Sequence, residues 1–138
     1  MRPEDRQYTQ IGQENGFEVE PKTVGPVEGY TARRDRLPFD ITFSYHPGNN
    51  EYEFFLGLDA TELSGSGMIY RAVGLMDVVD QHLKRRFRRN DISSDRGCID
   101  FVYMVPNKDF KENPEATRPF FKTLDQAIRQ YDEAFPQN

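Results

Sequence analysis

The chain lacks tryptophan altogether and carries one cysteine and two histidines in 138 residues. A lone thiol, Cys98, excludes an intrachain disulfide and fits a reducing compartment. His46, His82 and Cys98 are too few, and too scattered, to supply a zinc site at ligand spacing. No apolar run approaches the roughly 20 residues needed to span a bilayer. The opening segment Met1-Arg2-Pro3-Glu4-Asp5-Arg6 is charged throughout and no apolar stretch follows it, so no secretion signal is expected. These absences together predict a cytoplasmic protein with no membrane partner, no metal and no cofactor.

Positive charge is the minority sign. Lys and Arg total 18 against 23 Asp and Glu, giving a net charge of -5 and a pI of about 5.1. Such a chain resists nonspecific binding to nucleic acid, although a local basic patch could still bind. What the chain does have is aromatic residues, with eleven Phe and seven Tyr concentrated in blocks. A chain of this length buries roughly two-thirds of its unfolded surface without staples. One domain is expected over residues 17–138, preceded by a flexible N-terminal arm over 1–16, which is polar and aperiodic. Tyr8 and Ile11 are the arm's candidates for docking on another chain.

Periodicity places the elements. Phe17-Glu18-Val19-Glu20 alternates as a short strand that Pro21 should stop, and residues 21–29, with two Pro and two Gly, read as a loop. Residues 29–34 fit an edge strand. Phe39, Ile41, Phe43 and Tyr45 alternate with polar residues, as do Tyr52, Phe54, Leu56 and Leu58. The turn-forming run His46-Pro47-Gly48-Asn49-Asn50 between them predicts an antiparallel hairpin. Ile69, Ala72, Val73, Met76, Val79, Leu83 and Phe87 recur at helical spacing, which predicts a helix over 68–89 and a loop over 90–97. Residues 99–105 are apolar on both faces, as in a central strand covered on both sides. A second helix follows from Pro119, with Phe120, Phe121, Leu124, Ile128, Tyr131 and Phe135 as its buried stripe. The expected class is α+β, a mostly antiparallel mixed sheet with two helices. The strand at 99–105 is expected to lie parallel to that at 51–58 through a right-handed crossover.

This order of elements resembles the core of the GNAT acetyltransferase fold, in truncated form. It is also similar to small GNAT-like proteins of bacteriophage and prophage genomes. The residues carrying the resemblance are Tyr52 to Leu58, Ser64-Gly65-Ser66-Gly67 through Val79, Ile99 to Val105, and Arg118-Pro119-Phe120-Phe121. The resemblance implies a coenzyme A pyrophosphate cradle at Gly65, Ser66 and Gly67, where a helix N-terminus presents free N–H groups to an anion. Two positions depart from the family. Glu62 puts a carboxylate where the family has a positive or neutral donor, and Phe121 lacks the hydroxyl of the tyrosine that protonates the leaving thiolate. The few residues after Phe135 also leave no room for the family's final strand pair.

The remaining constellations are bland. Glu51 and Glu53 share a strand face and read as solvated carboxylates. Cys98, His46 and His82 hold the parts of a thiol–imidazole pair but read as packed or surface residues. Lys84, Arg85, Arg86, Arg88 and Arg89 complement the helix dipole, and with Arg33, Arg34 and Arg36 they could form a patch for phosphates or an acidic partner. The expectation is a non-catalytic accessory module that binds a protein partner or a second copy of itself, in the host cytoplasm if phage-encoded. The alternatives are an acyl-CoA-dependent N-acetyltransferase using acetyl-CoA, and a nucleic-acid-binding module using the 84–89 run.

Overall fold

The computed structural model describes residues 2–24, 27–63, 68–93 and 97–136. It is an α+β fold in which six strands form one sheet: β1 (Glu18–Val24), β2 (Val27–Arg33), β3 (Asp40–His46), β4 (Glu51–Asp59), β5 (Arg88–Ser93) and β6 (Cys98–Pro106). The spatial order is β1-β2-β3-β4-β6-β5, and every neighbouring pair is antiparallel. Among the described residues three α-helices accompany it: α1 (Pro3–Glu14), α2 (Ile69–Leu83) and α3 (Arg118–Ala134), the last entered through a short 3-10 turn at Pro114–Thr117.

The hairpin β3–β4 forms as its alternation predicts, with Phe43 opposite Phe54 and Ile41 opposite Leu56. Alternation sends Ile41, Phe43, Tyr52, Phe54, Leu56 and Leu58 to one face, where all are buried. The three helices pack on that face. Phe120 of α3 stacks on Phe54 with ring centroids 3.8 Å apart, and Phe121 packs edge-on to Phe43 and Phe54. Leu75, Met76, Val79 and Leu83 supply the inner stripe of α2.

Several expectations need correction. Residues 3–14, expected within a flexible arm, form a third helix, because Tyr8 and Ile11 are fully buried against the sheet. Pro3 at the first helical position, Glu4 and Asp5 in the first turn, and an Asp5 carboxylate accepting the Arg2 backbone N–H are ordinary helix-start signals. Pro21 does not stop β1, because β1 is an edge strand whose outer side needs no N–H donor. The helix expected over 68–89 ends at Leu83. Phe87 still reaches the core from the following turn, held by its N–H to the Leu83 carbonyl, and residues 88–93 form a strand rather than a loop. That extra strand reverses the chain before β6, so β6 runs antiparallel to β4, and the strand that runs parallel to β4 after α2 is β5, with β6 between them. Phe135, expected in the buried stripe of α3, is 56% exposed.

All of the helices described lie on one side of the sheet. The other side carries Thr31, Thr42, Ser44, Glu53, Phe55 and Gly57 in register across β2, β3 and β4. Val102 and Met104 of β6 continue these rows opposite Phe55 and Glu53. Both are buried, although no described helix covers this face.

Candidate functional site

The coenzyme A cradle expected at Gly65, Ser66 and Gly67 falls outside the described residues. Of its surroundings, Glu62 is exposed and Phe121 is wholly buried among aromatic rings.

The basic run is split by the fold. Lys84, Arg85 and Arg86 occupy the turn after α2, while strand alternation sends Arg88 and Arg89 to opposite faces of β5. Arg86 donates to the Thr123 hydroxyl at 2.9 Å, and Arg88 approaches Glu51 at 3.4 Å. Arg89 donates to Asp80 at 2.5 Å and lies over the Phe101 ring, while Lys84 stands 3.8 Å from the same carboxylate. Only Arg85 among the five has no polar partner among the described residues. The run thus does not form one patch: Arg86 ties the turn to α3, Arg88 faces β4, and Arg89 ties β5 to α2, with Lys84, Arg88 and Arg89 each near a carboxylate.

Cys98, His46 and His82 stand on three different elements. Cys98 opens β6 and is half-buried. His82 sits on α2, its ring nitrogens 2.9 Å from the Val78 carbonyl and 2.8 Å from the Gln130 side-chain oxygen. His46 ends β3, where its Nε2 lies 3.1 Å from Ser44 Oγ and 3.5 Å from Glu53. Serine and carboxylate thus approach the same ring nitrogen. A nucleophile relay needs them on opposite nitrogens, one to take the proton and one to orient the ring. Among the described residues no cluster of three or more His, Cys, Asp or Glu could hold a metal ion, and no helix is long and apolar enough to cross a membrane.

A buried polar network that sequence patterning does not reveal joins α1 to the sheet. The Tyr8 and Tyr52 hydroxyls are 2.6 Å apart, and Tyr8 donates to Glu112 at 2.7 Å. Tyr30 donates to Asp5 at 2.5 Å, and Arg2 donates to both Tyr30 and Glu112. Burial pushes the Tyr8, Tyr30 and Tyr103 hydroxyls well above the ordinary phenol value, with carboxylate neighbours adding to the shift. Tyr52 is pushed up to about 12, also chiefly by burial. The hydroxyls of Tyr8, Tyr30 and Tyr52 stay neutral and hold α1 in place, while that of Tyr103 donates to Asp80 of α2.

Two concave regions remain. On the bare face, Phe55 lies along its strand above Gly57. A Cβ at Gly57 would come 2.7 Å from the Phe55 ring and 2.9 Å from Asp100, so the missing side chain is what lets the ring lie low. Beside it, Lys22, Thr31, Thr42 and Asp40 line an open hollow of about 690 Å³. Ser44, His46 and Glu53 border an adjoining depression of about 270 Å³. On the helix side, a cleft of about 270 Å³ opens between the β2–β3 loop, α2 and α3, with Arg34, Arg36 and Arg71 among its lining residues.

Comparison with protein-family models, with curated proteins and with solved structures finds no match to this chain.

Proposed function

We propose that the chain is a non-catalytic protein-interaction module, and that the bare face of the sheet is the surface that meets a second protein chain. The observation that carries this reading is the arrangement around Phe55. A half-buried aromatic ring sits at the centre of the face with Thr31 and Thr42 beside it, and charged residues such as Glu20, Lys22 and Arg88 stand toward the edges. An apolar centre within a polar rim is the anatomy of a specific protein interface.

The edges of the sheet support contact through the face rather than by strand addition. Pro21 lies in edge strand β1, and the pairing of β5 with β6 is irregular between Asp91 and Ser93. Both features discourage an added strand. Carboxylates on the face (Glu20, Glu51, Glu53, Asp100) favour a protein partner over a phosphate backbone.

The test compares the partners captured by the wild-type chain with those captured by Phe55→Ala and Thr42→Arg. A Tyr70→Ala variant on the exposed side of α2 serves as control. Partners lost with both face variants and kept by the control would support the reading. Partners kept by all three would overturn it. Acetyl-CoA raising the Tm by several degrees, or strong salt-dependent retention on DNA or RNA, would favour the acyl-transfer or nucleic-acid alternative instead.

A further inference from the structure

On the interaction reading above, on which this step rests, we infer that the protein docking on the bare face of the sheet presents an arginine side chain to Phe55. The occupant of the face is then a basic protein segment.

Strand register fixes what surrounds the Phe55 ring. Thr42 of β3 and Val102 of β6 stand directly opposite Phe55. Its other neighbours on the face are Glu53 and Gly57 along β4, Asp40 and Ser44 of β3, and Asp100 and Met104 of β6. Glu53, Asp40 and Asp100 are carboxylates, and no lysine or arginine is among these neighbours. The described cations of the face stand farther off. Arg33 of β2 and Lys22 of β1 lie beyond β3, and Arg88 of β5 lies beyond β6, where it is 3.4 Å from Glu51.

The ring and a carboxylate lean into one gap. From the position that a Cβ would take at Gly57, the edge of the Phe55 ring is 2.7 Å away and Asp100 Oδ1 is 2.9 Å away. Asp40 stands on the other side of the same glycine, since both aspartates pair with Gly57 across their strands. At about 4.8 Å per strand their Cα atoms lie roughly 10 Å apart, a gap that a planar guanidinium can bridge. Among the described residues neither Asp40 nor Asp100 has an ion-pair or side-chain hydrogen-bond partner. Glu53 has the His46 ring at 3.5 Å. Phe55 is half-buried, so part of its ring stays open to a partner.

Arginine suits this setting in two ways. Its guanidinium stacks on an aromatic ring through cation–π attraction, and its N–H fork donates to carboxylates beside that ring. Arginine is also among the side chains that anchor protein interfaces. Other occupants fit less well. A phosphate backbone would be repelled by the carboxylates. A second copy packed through Phe55 about a two-fold axis would bring these carboxylates toward their own counterparts. An aliphatic side chain would desolvate Asp40 and Asp100 without pairing them.

The experiment titrates a capped alanine–arginine–alanine peptide into the full isotope-labelled chain at low salt and follows backbone amide signals. The expected result is saturable shifts at Thr42, Phe55, Gly57 and Val102. The same peptide with citrulline, the neutral isostere of arginine, should bind at least about fivefold more weakly. The arginine peptide should lose affinity on the same scale for the chain carrying both Asp40→Asn and Asp100→Asn, which keep the side-chain shape. Equal binding of the citrulline peptide, undiminished binding to the double variant, or no saturable shift in the millimolar range would each overturn the arginine contact. Capture of partners by the same variants separates this contact from the reading beneath it. Partners lost with Phe55→Ala but kept by the double variant would overturn the arginine contact and leave the interaction module standing. Partners kept by both Phe55→Ala and Thr42→Arg would overturn the two together.

Discussion

The Tyr103 hydroxyl donates to Asp80 Oδ1 at 2.6 Å while Arg89 donates to the other carboxylate oxygen at 2.5 Å. One buried carboxylate on α2 thereby ties together β6 and β5. Removing one member of such a group leaves a buried charge or donor unpaired, at a cost of about 3–5 kcal/mol. Asp80→Ala should lose stability on that scale in urea unfolding. Asp80→Asn, which keeps an acceptor for Tyr103, should lose less. Equal losses for the two would show that the Tyr103 bond contributes nothing.

The buried tyrosines set an alkaline limit. Tyr8, Tyr30, Tyr52 and Tyr103 all have hydroxyls raised above the ordinary phenol value, Tyr52 to about 12. In the unfolded chain they ionise near pH ~10. The folded state therefore retains protons that the unfolded state releases. Their contribution is full below about pH 10 and is lost as pH rises through the folded values. Tyrosinate absorbance should rise together with loss of helical signal, in one cooperative step above that pH. Gradual ionisation with the fold intact would contradict it.

Gly12 distinguishes a docked helix from a loose arm. A Cβ at Gly12 would run into the Val19 side chain of β1 and come 3.2 Å from the Phe17 carbonyl. In a solvated helix, Gly→Ala is stabilising by about 1 kcal/mol. Here Gly12→Ala should destabilise by about 1–3 kcal/mol through overpacking. Thermal unfolding of Gly12→Ala, and of Gly12→Ala with Val19→Ala, reads the sign, and the second change should restore part of the loss.

Two aromatic residues of one helical stripe should behave oppositely. Phe120→Ala empties a site stacked on Phe54 and should cost about 3–5 kcal/mol. Phe135, at the end of α3, is 56% exposed, and Phe135→Ala should stay within about 0.5 kcal/mol. Denaturant midpoints for the two variants would check the contrast.

Local pattern was sufficient wherever a segment meets the core along its whole length. The β3–β4 hairpin is readable because Phe43 and Phe54 alternate with polar neighbours around a turn-rich loop. The stripe Phe120, Phe121, Leu124 and Ile128 likewise specifies α3 through its period. Where few residues touch the core, pattern falls short. Helix α1 buries only Tyr8 and Ile11 among its apolar residues, and much of its anchoring comes from polar bonds to Tyr52, Tyr30 and Glu112, which carry no periodicity. Strand β5, Arg-Arg-Asn-Asp-Ile-Ser, has one unpaired edge and no apolar alternation, so nothing local separates it from a loop.

Fold class, the hairpin, the two longer helices and the apolar character of β6 were thus decided by the sequence alone, because side-chain period and turn chemistry act over a few residues. The direction of β6 beside β4 and the bare face around Phe55 were decided only by tertiary structure. So was the meeting of Arg34 with Asp125 across some 90 positions, and the placing of Leu37 and Ile128 along one cleft. Those features depend on which distant segments win the competition for one buried face, and no local propensity encodes that outcome.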